Sequence, residues 1–300
     1  MAGGARAGAS RRVTPTAHHF VSARLRLHYV DWGNADAPPL VLVHGGRDHC
    51  RNWDWVAADL CRDWHVVAPD LRGHGDSAWV SDGDYPMAGY VYDLAQLVHT
   101  LAGAPVTLVA HSLGGNVALR FAGLFPDRVA KIVAIEGLGP SPAMLAKRAD
   151  VTTADRLRTW IGEVRGLAGR SPRRYASIDD ALARMMAENT HLSEAQARHL
   201  TIHGVLRNED GTFSWKFDNY IRAWPPVDIA YADLEALWRA ITAPTLLVYG
   251  AESWASNPAA DGRAGVFADA RVELFERAGH WVHHDRTEDF IACVRAFLGE

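Results

Sequence analysis

Ser112 lies in Val106-Thr107-Leu108-Val109-Ala110-His111-Ser112-Leu113-Gly114-Gly115-Asn116, an apolar strand-like run that turns at small residues into a helix-like one. A serine becomes a nucleophile when a neighbouring base takes its proton, and a sharp strand-to-helix turn is one way to present its hydroxyl. Small flanking residues let strand and helix approach closely. Here Ala110 stands at the first glycine of the G-x-S-x-G pattern and Gly114 at the second. Taken alone, the segment equally suits a serine that caps a helix after a buried strand.

Three further segments supply what such a serine needs. His44-Gly45-Gly46 follows the apolar run Leu40–Val43, where a loop can aim main-chain N–H groups at an oxyanion. Gly46, or alternatively Arg47, would give one donor and Leu113 the other. The base is read as His280, because Ala278-Gly279-His280-Trp281 closes a strand-like run just before the final helix. The order serine, acid, histidine fits this architecture. His283 and His284 are rivals, read as solvated residues beside the helix start. For the acid, Glu136 ends the run Ile132–Ile135, and a charge there is costly without a partner. Glu252 is the alternative, next to Ser253, where a carboxylate would often sit. Asp70-Leu71-Arg72-Gly73-His74-Gly75-Asp76-Ser77 reads as loop-shaping, with His74 structural.

The elements that must hold these residues are legible as a pattern. Leu40–Gly46, His65–Gly75, Val106–Gly115, Lys131–Gly139 and Thr245–Glu252 are near-continuous apolar runs, as expected of parallel strands covered on both faces. Ala23–Gly33 alternates like an antiparallel strand near a sheet edge, and Arg271–His280 adds one more. Helices are expected at Tyr90–Leu101, Leu113–Phe125 and Glu288–Leu298. Strands alternating with helices imply a doubly wound α/β sheet. From 140 to 239 no such strands recur; a mostly helical cap with a hairpin at Asn208–Trp215 is expected over the sheet's C-terminal edge. The core would then be 20–139 and 240–300, preceded by a disordered tail at 1–19.

The 300 residues are 48% hydrophobic and 22% charged, a composition that excludes a mostly disordered, collagen-like or coiled-coil chain. With 31 basic and 35 acidic residues the net charge is −4, so no excess exists to attract nucleic acid. No apolar run reaches the roughly 18 to 20 residues of a membrane span, and no partnership with membrane is expected. The three cysteines have no metal-ligand spacing, so neither a metal nor an organic cofactor is implied, and a reducing cytoplasm is the expected location.

In HGG (44–46), DLRGHGDS (70–77), AHSLGG (110–115) and AGHW (278–281) the chain resembles the α/β-hydrolase superfamily, in its capped branch of epoxide hydrolases, haloalkane dehalogenases, carbon–carbon bond hydrolases and many esterases. The resemblance runs from about residue 20 to the end. It implies an α/β-hydrolase fold with an inserted helical cap, and an acid after the sixth strand, where Glu136 would be. The dehalogenases and epoxide hydrolases use an aspartate nucleophile where this chain has Ser112, and the dehalogenase tryptophan that follows it is Leu113 here, so those reactions are disfavoured.

The function expected is hydrolysis of carboxylic esters or lactones, small and apolar or aromatic, by Ser112, His280 and Glu136 through an acyl-enzyme. Carbon–carbon bond hydrolysis of ring-cleavage products uses the same residue types, and a non-catalytic small-molecule receptor shares the fold. Of the 11 tryptophans, Trp79, Trp254 and Trp281 fall at strand ends and Trp215 in the cap; all four are candidate pocket residues.

Overall fold

The computed structural model describes residues 13–101 and 103–299. In chain order the first half contains β1 (Thr16–Ser22), β2 (Leu25–Asp31), β3 (Pro39–Val43), α1 (Asp54–Leu60), β4 (His65–Pro69), α2 (Met87–Leu101), β5 (Val106–His111), α3 (Leu113–Leu124) and β6 (Val129–Ile135). There follow α4 (Pro142–Arg148), α5 (Thr153–Ala168), α6 (Ile178–Glu188), α7 (Glu194–Gly204), β7 (Val205–Arg207), β8 (Phe213–Trp215) and α8 (Tyr231–Ala240). The chain closes with β9 (Thr245–Gly250), β10 (Ala270–Phe275), α9 (Val282–Asp285) and α10 (Thr287–Gly299).

Eight strands form one sheet in the order β1-β2-β4-β3-β5-β6-β9-β10. The pairs β1/β2 and β2/β4 are antiparallel, and every other pair is parallel. Side chains along the central strands alternate between two cores. Val41, Val43, Leu108, Ala110, Ile132 and Leu247 pack on one face with residues of α2, α3 and α8. Leu40, Leu42, Val109, Val133, Ile135, Leu246 and Val248 pack on the other with residues of α1, α9 and α10. Two buried faces explain why these strands read as unbroken apolar runs. In α10 the buried residues are Phe290, Val294 and Phe297, a single helical stripe.

Between β6 and α8 the chain makes an insertion that meets the loops after β3 and β4. Its helices start at side-chain caps: Ser141, Thr152, Ser177 and Ser193 each accept from a first-turn N–H, with reciprocal capping boxes to Asp180 and Gln196. Leu182, Leu192, Ala197 and Leu200 form the cluster that joins α6 to α7. The hairpin β7/β8 closes through Asn208–Thr212, so its strands extend three residues further upstream than the sequence pattern gives. The insertion is tied to the loop after β4: Asp218 N–H donates to Gly73 O at 2.8 Å, Tyr85 Oη–H donates to Asp218 Oδ2 at 2.7 Å, and Lys216 pairs with Asp76 at 2.8 Å.

Two boundaries differ from the sequence expectation. Thr16–His19 belong to β1, whose pairing with β2 supplies the order that its mostly exposed side chains do not advertise; residues 1–12 of the expected tail lie outside the described residues. Helix α8, placed in the insertion by sequence, packs on α3 in the core layer instead. A Cβ on Gly123 of α3 would come within 2.4 Å of Leu237 O, so the glycine is what permits the approach.

Candidate active site

Ser112 holds φ 50° and ψ −113° at the turn from β5 into α3. That strained conformation is fixed on both sides: its N–H donates to Ile135 O at 2.7 Å, and Ser112 O accepts from Asn116 N–H at 3.0 Å. Close packing dictates the glycines beyond it. A Cβ on Gly114 would lie 2.5 Å from both His44 O and Val43 O, and one on Gly115 would lie 2.7 Å from Gly137 Cα.

The loop after β3 lies against this turn. A Cβ on Gly45 would stand 2.7 Å from His111 Nδ1 and 3.2 Å from Ser112 Cβ. Its shape is set by His44, which is fully buried, donates from Nδ1 to Gly45 O at 2.6 Å and accepts at Nε2 from Leu71 N–H at 2.9 Å. Burial pulls its pKa down to about 3, so the ring is a neutral structural clasp. Gly46 and Arg47 beyond it are exposed, and Arg47 has φ 64°. Leu113 opens α3, where a first-turn N–H has no acceptor within the helix.

Glu136 ends β6 with φ 50° and its carboxylate fully buried. Oε1 accepts from Gly250 N–H at 3.0 Å and Oε2 from Ser253 Oγ–H at 2.7 Å, and Oε2 also bonds His280 Nδ1. With Nδ1 so engaged, Nε2 is the nitrogen of His280 free for another proton partner. Glu252 points elsewhere: its carboxylate is 53% exposed and stands 3.9 Å from His191 Nε2. The turn carrying His280 is pinned by Gly279 N–H to Asp285 Oδ2 at 2.7 Å.

His111 directly precedes Ser112, and nothing in its sequence setting marks it for a role in the site. It donates from Nε2 to His280 O at 2.9 Å, its ring centroid lies 4.7 Å from that of His280, and burial holds its pKa well below the ordinary value. His283 and His284 correct the expectation of solvated side chains. They are 1% and 4% exposed, because the short α9 turns both inward, His283 onto Trp53 and His284 onto Trp55. The loop-shaping reading of the segment after β4 matches its geometry: Asp70 accepts from Cys50 N–H, Asp76 N–H and His28 Nδ1 at 2.7 to 2.9 Å, and His74 is fully buried.

Of the tryptophans, Trp254 is 70% exposed with its ring 5.0 Å from that of His280. Trp215 and Trp281 line one cavity of about 20 Å³ with Arg47, Asp48, His49, Met185 and Phe217. Trp79 stands apart, 44% exposed on the loop after β4, and among the described residues no ring contact joins it to this group. Two sets of side chains have potential ligand atoms within 4.8 Å of one another: His28, Cys50 and Asp70, already bonded within the core, and Asp54, His199 and His203 at the insertion. Among the described residues no helix is long and apolar enough to cross a membrane.

The profile of the alpha/beta hydrolase family matches residues 40–292, and the sheet order and turn geometry agree with it. The chain belongs to that family. Within this alpha/beta hydrolase family it is similar to esterase Rv0045c of Mycobacterium tuberculosis, 30% identical over 89% of this chain and 84% of that one. A solved structure of the same esterase superposes with TM-score 0.75 and 28% identity, covering 95% of this chain and 92% of the other. It is also similar to the sn-1-specific diacylglycerol lipase ABHD11 of Xenopus tropicalis, 29% identical over 89% of this chain and 79% of that protein. The thioesterase domain from the curacin biosynthetic pathway, with TM-score 0.81, 21% identity and coverage of 94% and 99%, shares the fold.

Proposed function

We propose that this alpha/beta hydrolase cleaves carboxylic esters or lactones by a serine mechanism in which Ser112 is the nucleophile, His280 the base and Glu136 the acid. One observation carries the reading: His280 Nδ1 bonds a buried carboxylate on β6, beside a serine held at positive φ. The esterase and lipase relatives support ester substrates; the choice between open-chain esters and lactones is part of the proposal.

In this mechanism His280 Nε2 takes the Ser112 proton as Oγ attacks the carbonyl carbon, and Glu136 stabilises the imidazolium that forms. The N–H groups of Leu113 and of Gly46, or alternatively Arg47, receive the developing oxyanion. Collapse breaks the carbon–oxygen bond, and the leaving alkoxide takes the proton from His280. Water then gives its proton to His280, attacks the acyl carbon and releases the acid, restoring Ser112. Trp254, beside His280, supplies an aromatic wall. A cavity of about 20 Å³ has room for roughly one water, so a substrate entering between Trp215 and Trp281 displaces insertion side chains. The insertion between β6 and α8 thus acts as a cap.

A fluorophosphonate probe tests the chemistry. It should label the wild-type chain and spare Ser112→Ala, and p-nitrophenyl esters compared with lactones give the substrate class. Equal labelling of both proteins would overturn the assignment.

A further inference from the structure

We propose that Asp54, His199 and His203 form a transition-metal site that fastens insertion helix α7 to core helix α1. His199 and His203 are four residues apart on α7 and share one face. Asp54 opens α1 opposite them. One ligand atom from each of the three lies within 4.8 Å of the others, and His199 Nε2 stands 3.0 Å from Asp54 Oδ2. Bonds of about 2.0 to 2.2 Å from a single ion to imidazole nitrogen and carboxylate oxygen place such atoms roughly 3 to 4 Å apart, close to the spacing of these three. Asp54 is only 9% exposed, whereas His199 and His203 are partly exposed, so an ion and a water that completes the coordination reach the site from the histidine side.

Two imidazoles and one carboxylate select zinc, nickel, cobalt or copper over magnesium or calcium, which prefer all-oxygen shells. Without an ion the carboxylate is held by Arg51, whose Nε and Nη2 donate to it at 2.6 to 2.9 Å. His199 Nε2–H also faces Arg51 O at 3.2 Å. Binding therefore requires the guanidinium to swing out and His199 Nε2 to give up the proton that faces Arg51 O. Arg51 competes with the metal for the same oxygens.

The site reaches the oxyanion loop by a short route. His49, two residues after Arg47, donates from Nε2 to Leu200 O of α7 at 2.9 Å, and a Cβ on Gly204 would meet its ring at 3.1 Å. An ion that ties α7 to α1 thus also holds the insertion against that loop. The site goes beyond the ester-hydrolase reading and does not depend on it.

Calorimetric titration of the chelator-stripped full chain with zinc or nickel chloride decides the matter, and it is independent of turnover. The expected result is one ion per chain and a rise in the thermal midpoint. His203→Ala and His199→Ala should each weaken binding more than about tenfold, at least the loss seen when a metal ligand's supporting partner is removed. Arg51→Ala should tighten it, and His280→Ala should leave it within about twofold. Absence of binding, wild-type affinity in both α7 histidine variants, or loss of binding in His280→Ala would each overturn the proposal.

Discussion

Ser253 Oγ–H donates to Glu136 Oε2 at 2.7 Å, the oxygen that also bonds His280 Nδ1. The turn after β9 therefore contributes donors, Gly250 N–H and Ser253 Oγ–H, to a carboxylate that comes from the neighbouring strand. A buried carboxylate with three donors is held in one orientation, as a partner to an imidazole must be.

From this follows a comparison of two carboxylates. Glu136→Gln should keep the ring placed but favour the wrong tautomer, lowering kcat by about 10⁴-fold, the size of the Asp-to-Asn effect in a serine protease. Glu252→Gln, whose carboxylate is half-exposed and faces His191, should change kcat far less. Both variants are assayed on one p-nitrophenyl ester; the reverse order of effects would remove Glu136 from the mechanism.

Two glycine substitutions should shift stability in opposite directions. Gly114→Ala drives a methyl group to 2.5 Å from two main-chain oxygens, which cannot swing aside, and should cost about 1 to 3 kcal/mol or more. Gly162→Ala, exposed within α5 with nothing within 4 Å of the new atom, should stabilise by about 0.5 to 1 kcal/mol. Denaturant unfolding of each against wild type reads the signs.

Acid should destabilise the fold through its buried histidines. Burial pulls the pKa of His44 to about 3, His74 to about 4 and His284 to about 3, and holds His111 and His283 well below 6.5. For a depressed histidine the unfolded chain takes up protons first, so the stability is present above about pH 6.5 and is lost as pH falls toward 3 or 4. Asp48 acts oppositely: burial raises it from 3.8 to about 6, and its contribution is lost as pH rises through that range. At pH 5 the rings of His44, His74 and His284 each cost on the order of 2 kcal/mol and Asp48 returns on the order of 1.4, so the rings win. The thermal midpoint should fall clearly from pH 7 to pH 5; an unchanged or higher midpoint would contradict the buried, neutral assignment.

Trp254 and Trp79 should separate in an ester panel. Trp254→Ala removes a ring 5.0 Å from His280 that is mostly exposed, so kcat/KM for aromatic esters should drop while the thermal midpoint stays within a few degrees. Trp79→Ala should alter neither. Equal effects on kcat/KM would dissolve the distinction drawn from their positions.

The sheet and the turns that serve it are legible in local patterning. Runs such as Leu40–Val43 and Leu108–Ala110 are apolar at every position because both their faces are buried, and that signal is local. The elbow was legible for the same reason: Ala110, Gly114 and Gly115 are small where backbone meets backbone. What only the tertiary structure decided are relations between residues far apart in the chain. Glu136 and Glu252 each follow an apolar strand, and which one meets His280, over a hundred residues from Glu136, depends on β6 and β9 lying side by side. His283 and His284 look like polar residues at a helix start, yet they are buried because Trp53 and Trp55 of another segment cover them. Helix α8 joined the core rather than the insertion because Gly123 admits Leu237, and the His199, His203 and Asp54 cluster exists because the insertion folds back onto α1. Patterning records how deeply each residue is buried; which partners it meets there is set by the closure of the chain, and no local period carries that information.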